Sequence, residues 1–207
     1  MKVLVNCILI GLVYVSGPLF AEQSQPLNPQ VLVDKVAAGG HIIYFRHAPT
    51  VPKSKDNNQK KANKPLSVDY FDCSTQRNLS AHGREVAKAL RKALARNAIP
   101  VDKVYASPYC RTRETAQTIF DDVELDENLA FSLSRSPEDS ARLGRYLKEK
   151  MQNLKLGQGN TVLVGHSSNI RDGLGVWPKP EGTAAVFSRD GQALNFLGMI
   201  KPDDWPE

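Results

Sequence analysis

Two short apolar runs, each followed almost at once by a histidine, constrain the fold of this chain more than any other feature. Residues 41–45 form a compact apolar run, and residues 161–164 form a strongly β-branched one. Both are short enough to be buried strands. Helical patterns that begin near Ser80 and Pro137 lie between them. This alternation predicts a three-layer α/β/α domain with a mostly parallel central sheet.

Length and composition limit the remaining choices. The chain has 207 residues, of which 41% are hydrophobic and 24% are charged. These values exclude collagen-like, low-complexity and intrinsically disordered chains. A net charge of +5 suits anionic ligands but lacks the clustered basicity of a nucleic-acid-binding protein. We therefore expect a single domain over residues 22–207 that does not bind nucleic acid.

The first 21 residues have the pattern of a secretory signal peptide. Lys2 precedes a nearly continuous apolar run, and the small residue Ala21 offers a cleavage point before Glu22. The run is short for a transmembrane helix, although an uncleaved N-terminal anchor is the alternative. Residues 1–21 are thus predicted to be removed. The mature protein is then expected to be periplasmic or secreted, without stable membrane insertion.

Cleavage after Ala21 would remove one of the three cysteines and leave Cys73 and Cys110. An even pair of cysteines in an oxidising compartment is typical of a disulfide. The alternative is two reduced, buried thiols, because sequence alone does not show whether the two side chains meet. We predict a disulfide between Cys73 and Cys110.

Chemically active side chains follow three of the predicted strands. Arg46 and His47 follow the first apolar run, Arg111 lies shortly after another strand, and His166 follows the run at 161–164. Open α/β sheets bind ligands at the carboxyl ends of their strands, so these residues are expected to converge. Arginine forks grip phosphate oxygens, and a neutral imidazole can attack phosphorus. The pattern predicts phosphoryl chemistry.

Four segments resemble the motifs of the histidine phosphatase superfamily. Arg46-His47-Ala48 is similar to its Arg-His-Gly motif, with alanine in place of the usual glycine. Residues 107–116 resemble its second motif, and residues 164–167 resemble the motif of its second histidine. Residues 79–84 are similar to the segment that opens its first long helix. The motifs occur in family order from about residue 40 to residue 169, and they imply the phosphoglycerate mutase-like fold.

The resemblance also implies a role for each matching residue. His47 would be the nucleophile that becomes phosphorylated during the reaction. Arg46, Arg111 and His166 would complete the phosphate pocket. No metal or cofactor is expected, because the four histidines show none of the spacings of a metal site.

The general acid is the part of the family pattern that this sequence does not clearly supply. Many members place a glutamate two residues after a leucine; here Leu129 is followed by Phe131 at that position. Glu181 is the first candidate for a substitute and Glu127 the second. A third possibility is that no acid is needed, as in phosphohistidine phosphatases, whose leaving imidazole departs readily.

The resemblance implies an exported, metal-independent phosphatase that hydrolyses a phosphomonoester or related phosphoryl compound through a phosphohistidine on His47. Its partner would be a small phosphorylated substrate, and the sequence leaves the oligomeric state open. The alternative is a catalytically degenerate member that binds a phosphorylated envelope glycan or lipid without turnover. Export and the altered acid position argue against a phosphoglycerate mutase.

Overall fold

The computed structural model describes residues 25–52, 69–132 and 136–206. The predicted signal peptide at residues 1–21 lies outside the described residues. Among the residues that are described, no helix is long and apolar enough to cross a membrane.

Five α-helices and six β-strands alternate along the described parts of the chain. In chain order they are α1 (Pro29–Ala38), β1 (Ile42–Arg46), α2 (Ala81–Arg96), β2 (Val101–Ala106), α3 (Cys110–Ile119), β3 (Glu124–Leu125), α4 (Pro137–Asn153), β4 (Asn160–Gly165), α5 (Ser167–Leu174), β5 (Ala184–Asp190) and β6 (Ala193–Ile200).

Polar side chains set the starts of three helices. Asn28, Ser80 and Ser136 each accept a hydrogen bond from the backbone N–H three residues later, at the starts of α1, α2 and α4. Such caps satisfy a backbone donor that the first helical turn leaves without a partner, and each is worth about 1 kcal/mol. The helix starts expected at Ser80 and Pro137 are therefore confirmed.

The six strands form one mixed sheet in the order β3-β2-β4-β1-β5-β6. The first four strands are parallel, whereas β5 pairs antiparallel with β1 and β6 pairs antiparallel with β5. This arrangement confirms the predicted α/β fold. Because β1 and β4 are parallel neighbours with Arg46 opposite Gly165, their carboxyl ends lie side by side.

The helices cover both faces of the sheet, and the alternation of side chains along β1 shows this. Ile43 and Phe45 belong to a buried apolar cluster with α1, α2 and α3. Ile42 and Tyr44 belong to a second cluster, with α4 and α5, on the opposite face. Each large apolar side chain that is fully buried stabilises the fold by about 1.5–3 kcal/mol. The two clusters hold the central strands, and therefore the residues at their ends, in fixed positions.

Candidate active site

His47 lies immediately after β1 and is only 3% exposed. Its Nδ1–H donates to the carbonyl of Ala48 at 2.9 Å. A carbonyl only accepts, so the proton lies on Nδ1 and a neutral ring carries its lone pair on Nε2. Burial lowers the pKa of His47 well below its usual value, and the charge of Arg111 lowers it further. The imidazole is thus held neutral, with Nε2 as the nucleophilic atom.

His166 follows β4, and the centres of its ring and the His47 ring lie 5.6 Å apart. Its Nε2 and the Ser107 hydroxyl oxygen are 2.9 Å apart. Its Nδ1 is buried and makes no hydrogen bond within the described parts of the chain. When Ser107 donates to Nε2, the proton of a neutral ring lies on Nδ1. That nitrogen can then donate to an anion bound beside His47.

A tyrosine hydroxyl fixes the backbone at His166. The Tyr44 hydroxyl donates to the carbonyl of His166 at 2.9 Å and accepts from its backbone N–H at 2.8 Å. A Cβ atom at Gly165 would lie 2.2 Å from the tyrosine oxygen, so only glycine leaves room for it. The glycine that precedes His166 in the sequence motif is therefore explained by steric contact with Tyr44.

Arg111 occupies the second position of α3 and is 1% exposed. Its guanidinium carbon lies 4.8 Å from the ring centre of Tyr109 and 5.1 Å from that of Phe131. Two aromatic faces therefore hold the guanidinium plane in place. Thr115 connects this helix to β1, because its hydroxyl donates to the Arg111 carbonyl at 2.6 Å and accepts from the Ala48 N–H at 3.0 Å.

Arg46, Arg77 and Glu181 form a charged group next to the two histidines. Arg46 Nη2 and Arg77 Nη2 both donate to Glu181 Oε1, at 3.0 and 3.2 Å. Electrostatic repulsion from both arginines also lowers the pKa of His47 and of His166, although burial is the largest cause at each ring. The three arginines and two histidines can therefore act on a single anion.

The sequence interpretation did not include Arg77. It lies far from any strand end in the chain, two residues before the segment at 79–84. An isolated bridge between Thr50 and Leu79 brings this segment against the exit of β1. The one available signal was its position just before a recognised motif.

The segment that carries Arg77 is also tied to α3. Cys73 and Cys110 form a disulfide in the structure, as expected from the sequence. Gln76 Oε1 accepts from the Cys110 backbone N–H at 2.9 Å, and Asn78 Nδ2 donates to the Cys73 carbonyl at 2.7 Å. Arg77 lies between these two side chains, so the disulfide anchors Arg77 close to the start of the helix that presents Arg111.

The structure separates the candidates for the general acid. The ring centre of Phe131, at the position where the resemblance implies a glutamate, lies 5.2 Å from that of His166. Glu127 lies exposed in the 3-10 turn Glu127–Leu129. Glu181 is at the site but engages two arginines. Its role as an acid stays a prediction.

Two helices begin at this edge of the sheet without an N-cap side chain, α3 after Tyr109 and α5 after His166. Helix N-termini favour negative charge. They add to the positive potential of the arginines.

Within residues 25–52, 69–132 and 136–206, no three histidine, cysteine, aspartate or glutamate side chains lie close enough together to hold a metal ion.

Comparison with known proteins agrees with this geometry. Residues 43–130 match the sequence model of the "Histidine phosphatase superfamily (branch 1)". A search of curated protein sequences finds no match. Among solved structures, the chain resembles the protein histidine phosphatase SixA complexed with tungstate. The identity is 16% and the TM-score 0.54, over 80% of this chain and 99% of that one.

Two further solved structures share the fold. One is a phosphoserine phosphatase mutant from Entamoeba histolytica in complex with phosphoserine, with 15% identity and a TM-score of 0.54 over 80% of this chain and 99% of that one. The other is a mycobacterial glucosyl-3-phosphoglycerate phosphatase, with 14% identity and a TM-score of 0.51 over 76% and 96%. At these identities the structural likeness concerns the fold. Together with the family match, it confirms the predicted resemblance to the histidine phosphatase superfamily.

Proposed function

We propose that this chain, which has the fold of the histidine phosphatase superfamily and matches its sequence model over residues 43–130, hydrolyses phosphomonoesters through a phosphohistidine on His47. The observation that carries the proposal is the orientation of His47. Its Nδ1–H donates to Ala48, so the Nε2 lone pair is free to attack. A protein that only bound phosphate would not need this orientation.

The reaction has two displacement steps. In the first, His47 Nε2 attacks phosphorus, the P–N bond forms, and the P–O bond to the leaving group breaks with its electron pair going to oxygen. In the second, water attacks phosphorus, the P–N bond breaks, and inorganic phosphate leaves. His166 and the arginines stabilise the charge on the phosphoryl oxygens in both steps.

The charge of the site matches that of a phosphate dianion. Arg46, Arg77 and Arg111 supply three positive charges and Glu181 one negative charge, while both histidines have lowered pKa values and stay neutral. The balance is two positive charges. A phosphomonoester loses its second proton near pH 6, so it carries almost two negative charges at neutral pH.

Phe131 favours substrates whose leaving group needs little protonation. Its ring lies against His166 and Arg111, in the position where related enzymes carry an acid. Aryl phosphates and phosphoramidates such as phosphohistidine have such leaving groups. With the leader at 1–21 removed, the enzyme would meet substrates outside the cytoplasm.

Steady-state turnover of para-nitrophenyl phosphate tests this function. We expect turnover that survives a metal chelator and is lost in His47→Ala. Brief mixing with labelled substrate and an alkaline quench should leave label on wild-type protein that acid removes, as a phosphohistidine requires. An acid-stable label would point to a different nucleophile.

A phosphate-binding protein without turnover is the competing function, because no described acid is clearly free to protonate an alkyl leaving group. It predicts that inorganic phosphate binds but that no ester in a panel of aryl, sugar, nucleotide and amino-acid phosphates is hydrolysed. Hydrolysis of any of these esters that depends on His47 rejects it.

A further inference from the structure

We infer that Glu181 is a positioning residue, whose carboxylate holds Arg46 and Arg77 against the phosphoryl group, rather than the group that protonates the leaving oxygen. This inference rests on the proposed function and deepens it, because it gives a role to the carboxylate that contacts Arg46 and Arg77.

Donors surround both oxygens of the Glu181 carboxylate. Oε1 accepts from Arg46 and Arg77 at 3.0 and 3.2 Å, and from the Thr50 hydroxyl at 3.2 Å. Oε2 accepts from the Thr50 backbone N–H at 2.9 Å, with the same hydroxyl at 3.2 Å. A proton on either oxygen would face these donors. A general acid must instead carry a proton and direct it at the leaving oxygen.

The contacts of Arg46 leave part of its guanidinium group for substrate. Its Nη1 donates to the Pro178 carbonyl at 3.3 Å and its Nη2 to Glu181. Its Nε is buried and makes no hydrogen bond within the described residues. Each terminal nitrogen thus gives one N–H to a protein acceptor, and the Nε–H is among the donors that remain for an oxyanion.

Arg77 has a stronger need for such a partner because its side chain is 31% exposed. A free arginine side chain has rotamer entropy that must be given up when it binds phosphate. The Glu181 carboxylate restricts Arg77 before substrate arrives. One oxygen contacts both guanidinium groups, so the carboxylate also sets the distance between them.

The backbone next to Glu181 is tied to the nucleophile. The Gly182 N–H donates to the His47 carbonyl at 2.9 Å, and the Arg46 N–H donates to the Thr183 carbonyl at 3.0 Å. Residues 181–183 therefore keep a constant position relative to His47. This connection lets Glu181 place both arginines relative to the atom that attacks phosphorus.

Two substrates with different leaving groups separate positioning from acid catalysis. In Glu181→Gln, positioning predicts that kcat/KM falls by the same factor, at least about tenfold, for para-nitrophenyl phosphate and for phosphoserine. Acid catalysis predicts a large loss for phosphoserine and almost none for the aryl ester. A selective loss of that kind would overturn the inference, and so would unchanged kinetics for both esters.

A double-mutant cycle tests whether Glu181 acts through Arg77. We expect the loss in Glu181→Gln/Arg77→Ala to be clearly smaller than the product of the two single losses, because the second change removes a group already misplaced. Multiplicative losses would overturn the inference. Glu85→Gln is the matched control, since Glu85 is exposed and forms its ion pair with Lys88, three residues later in α2.

Binding of inorganic phosphate gives a readout that does not depend on turnover. Calorimetry should show weaker phosphate binding in Glu181→Gln, with circular dichroism unchanged. If the carboxylate merely competed with phosphate for the arginines, its removal would tighten binding, and that result would overturn the inference. A wild-type protein that binds phosphate and hydrolyses nothing would reject the proposed function alone. A wild-type protein that does not bind phosphate would reject both.

Discussion

At the scale of single residues, the site depends on imidazoles that stay neutral among arginines. Protonated His47 would have no lone pair on Nε2 and could not attack phosphorus. Burial first, and then the charge of Arg111, lowers its pKa well below the usual value. The same two causes act on His166, in the same order. His47 can therefore act as a nucleophile at neutral pH. The same lowered pKa makes the folded protein less stable at low pH.

The lowered pKa of His47 predicts how stability changes with pH. Below about pH 6.5 the unfolded chain binds a proton at this residue, whereas the folded chain does not until a much lower pH. The free energy of unfolding therefore falls as pH falls, by up to about 1.4 kcal/mol per pH unit for this residue. Urea unfolding between pH 7 and pH 5 should show a shallower decline in His47→Asn than in wild type. Parallel curves would contradict the assignment.

We expect that a lysine at position 111 does not replace Arg111 in catalysis. Arg111→Lys keeps the positive charge but loses the planar fork that contacts the rings of Tyr109 and Phe131. We expect kcat/KM for para-nitrophenyl phosphate to fall at least about tenfold while the protein stays folded. Arg142→Lys, at an exposed position of α4, is the matched control and should be unchanged. Near-normal kinetics in Arg111→Lys would remove Arg111 from the site.

At the scale of elements, one irregular segment connects two parts of the site. Residues 69–78 carry Arg77, and the disulfide and Gln76 attach them to the start of α3, while Asn78 donates within the segment to the Cys73 carbonyl. The next residues enter α2, where a Cβ at Gly83 would lie 1.8 Å from the Pro49 carbonyl oxygen. Glycine is therefore required where α2 packs on the exit of β1. The attachment to α3 and the packing of α2 on the exit of β1 together place Arg77, which itself lies in no strand.

Removal of the disulfide should therefore affect both stability and catalysis. Cys73→Ala/Cys110→Ala opens a loop of 37 residues by sequence separation. From chain entropy, we expect the free energy of unfolding to fall by about 3–4 kcal/mol. We also expect a lower kcat/KM, because Arg77 loses its anchor to the helix of Arg111. Thermal unfolding and phosphatase assays on the same preparation measure the two effects. A loss of stability with full activity would keep the bond and reject its part in the site.

At the scale of the whole molecule, features set by local sequence patterns were predicted more completely than features set by contacts between distant residues. Apolar runs located β1 and β4, and the histidines at their ends were then expected to meet, because parallel strands share an edge. Arg77 escaped prediction because the Thr50–Leu79 bridge and the disulfide that place it join residues distant in the chain. Glu181 was identified, but its contacts with Arg46 and Arg77, which suggest a different role, join residues 135 and 104 positions apart in the chain.

Export of the whole chain stays a prediction; the leader pattern supports it, and the Cys73–Cys110 disulfide is compatible with it. The apolar run within residues 1–21 has the pattern of a cleaved leader, and the cysteines that remain after its removal can form a disulfide only where oxidants reach them. We expect the full chain, produced in a bacterium with a periplasm, to appear there with Glu22 as its first residue and no free thiol.

The matched control for export is a chain that begins at residue 22 and is produced in the cytoplasm. It should keep both remaining cysteines reduced, unfold at lower temperature, and recover stability when it is oxidised after purification. Intact mass and thiol counting under denaturing conditions distinguish the two preparations. A full chain that stays in the membrane fraction with Met1 in place would identify residues 1–21 as an uncleaved anchor. A full chain in the cytosol with all three thiols free would reject export, and the disulfide would lose its place in the working enzyme.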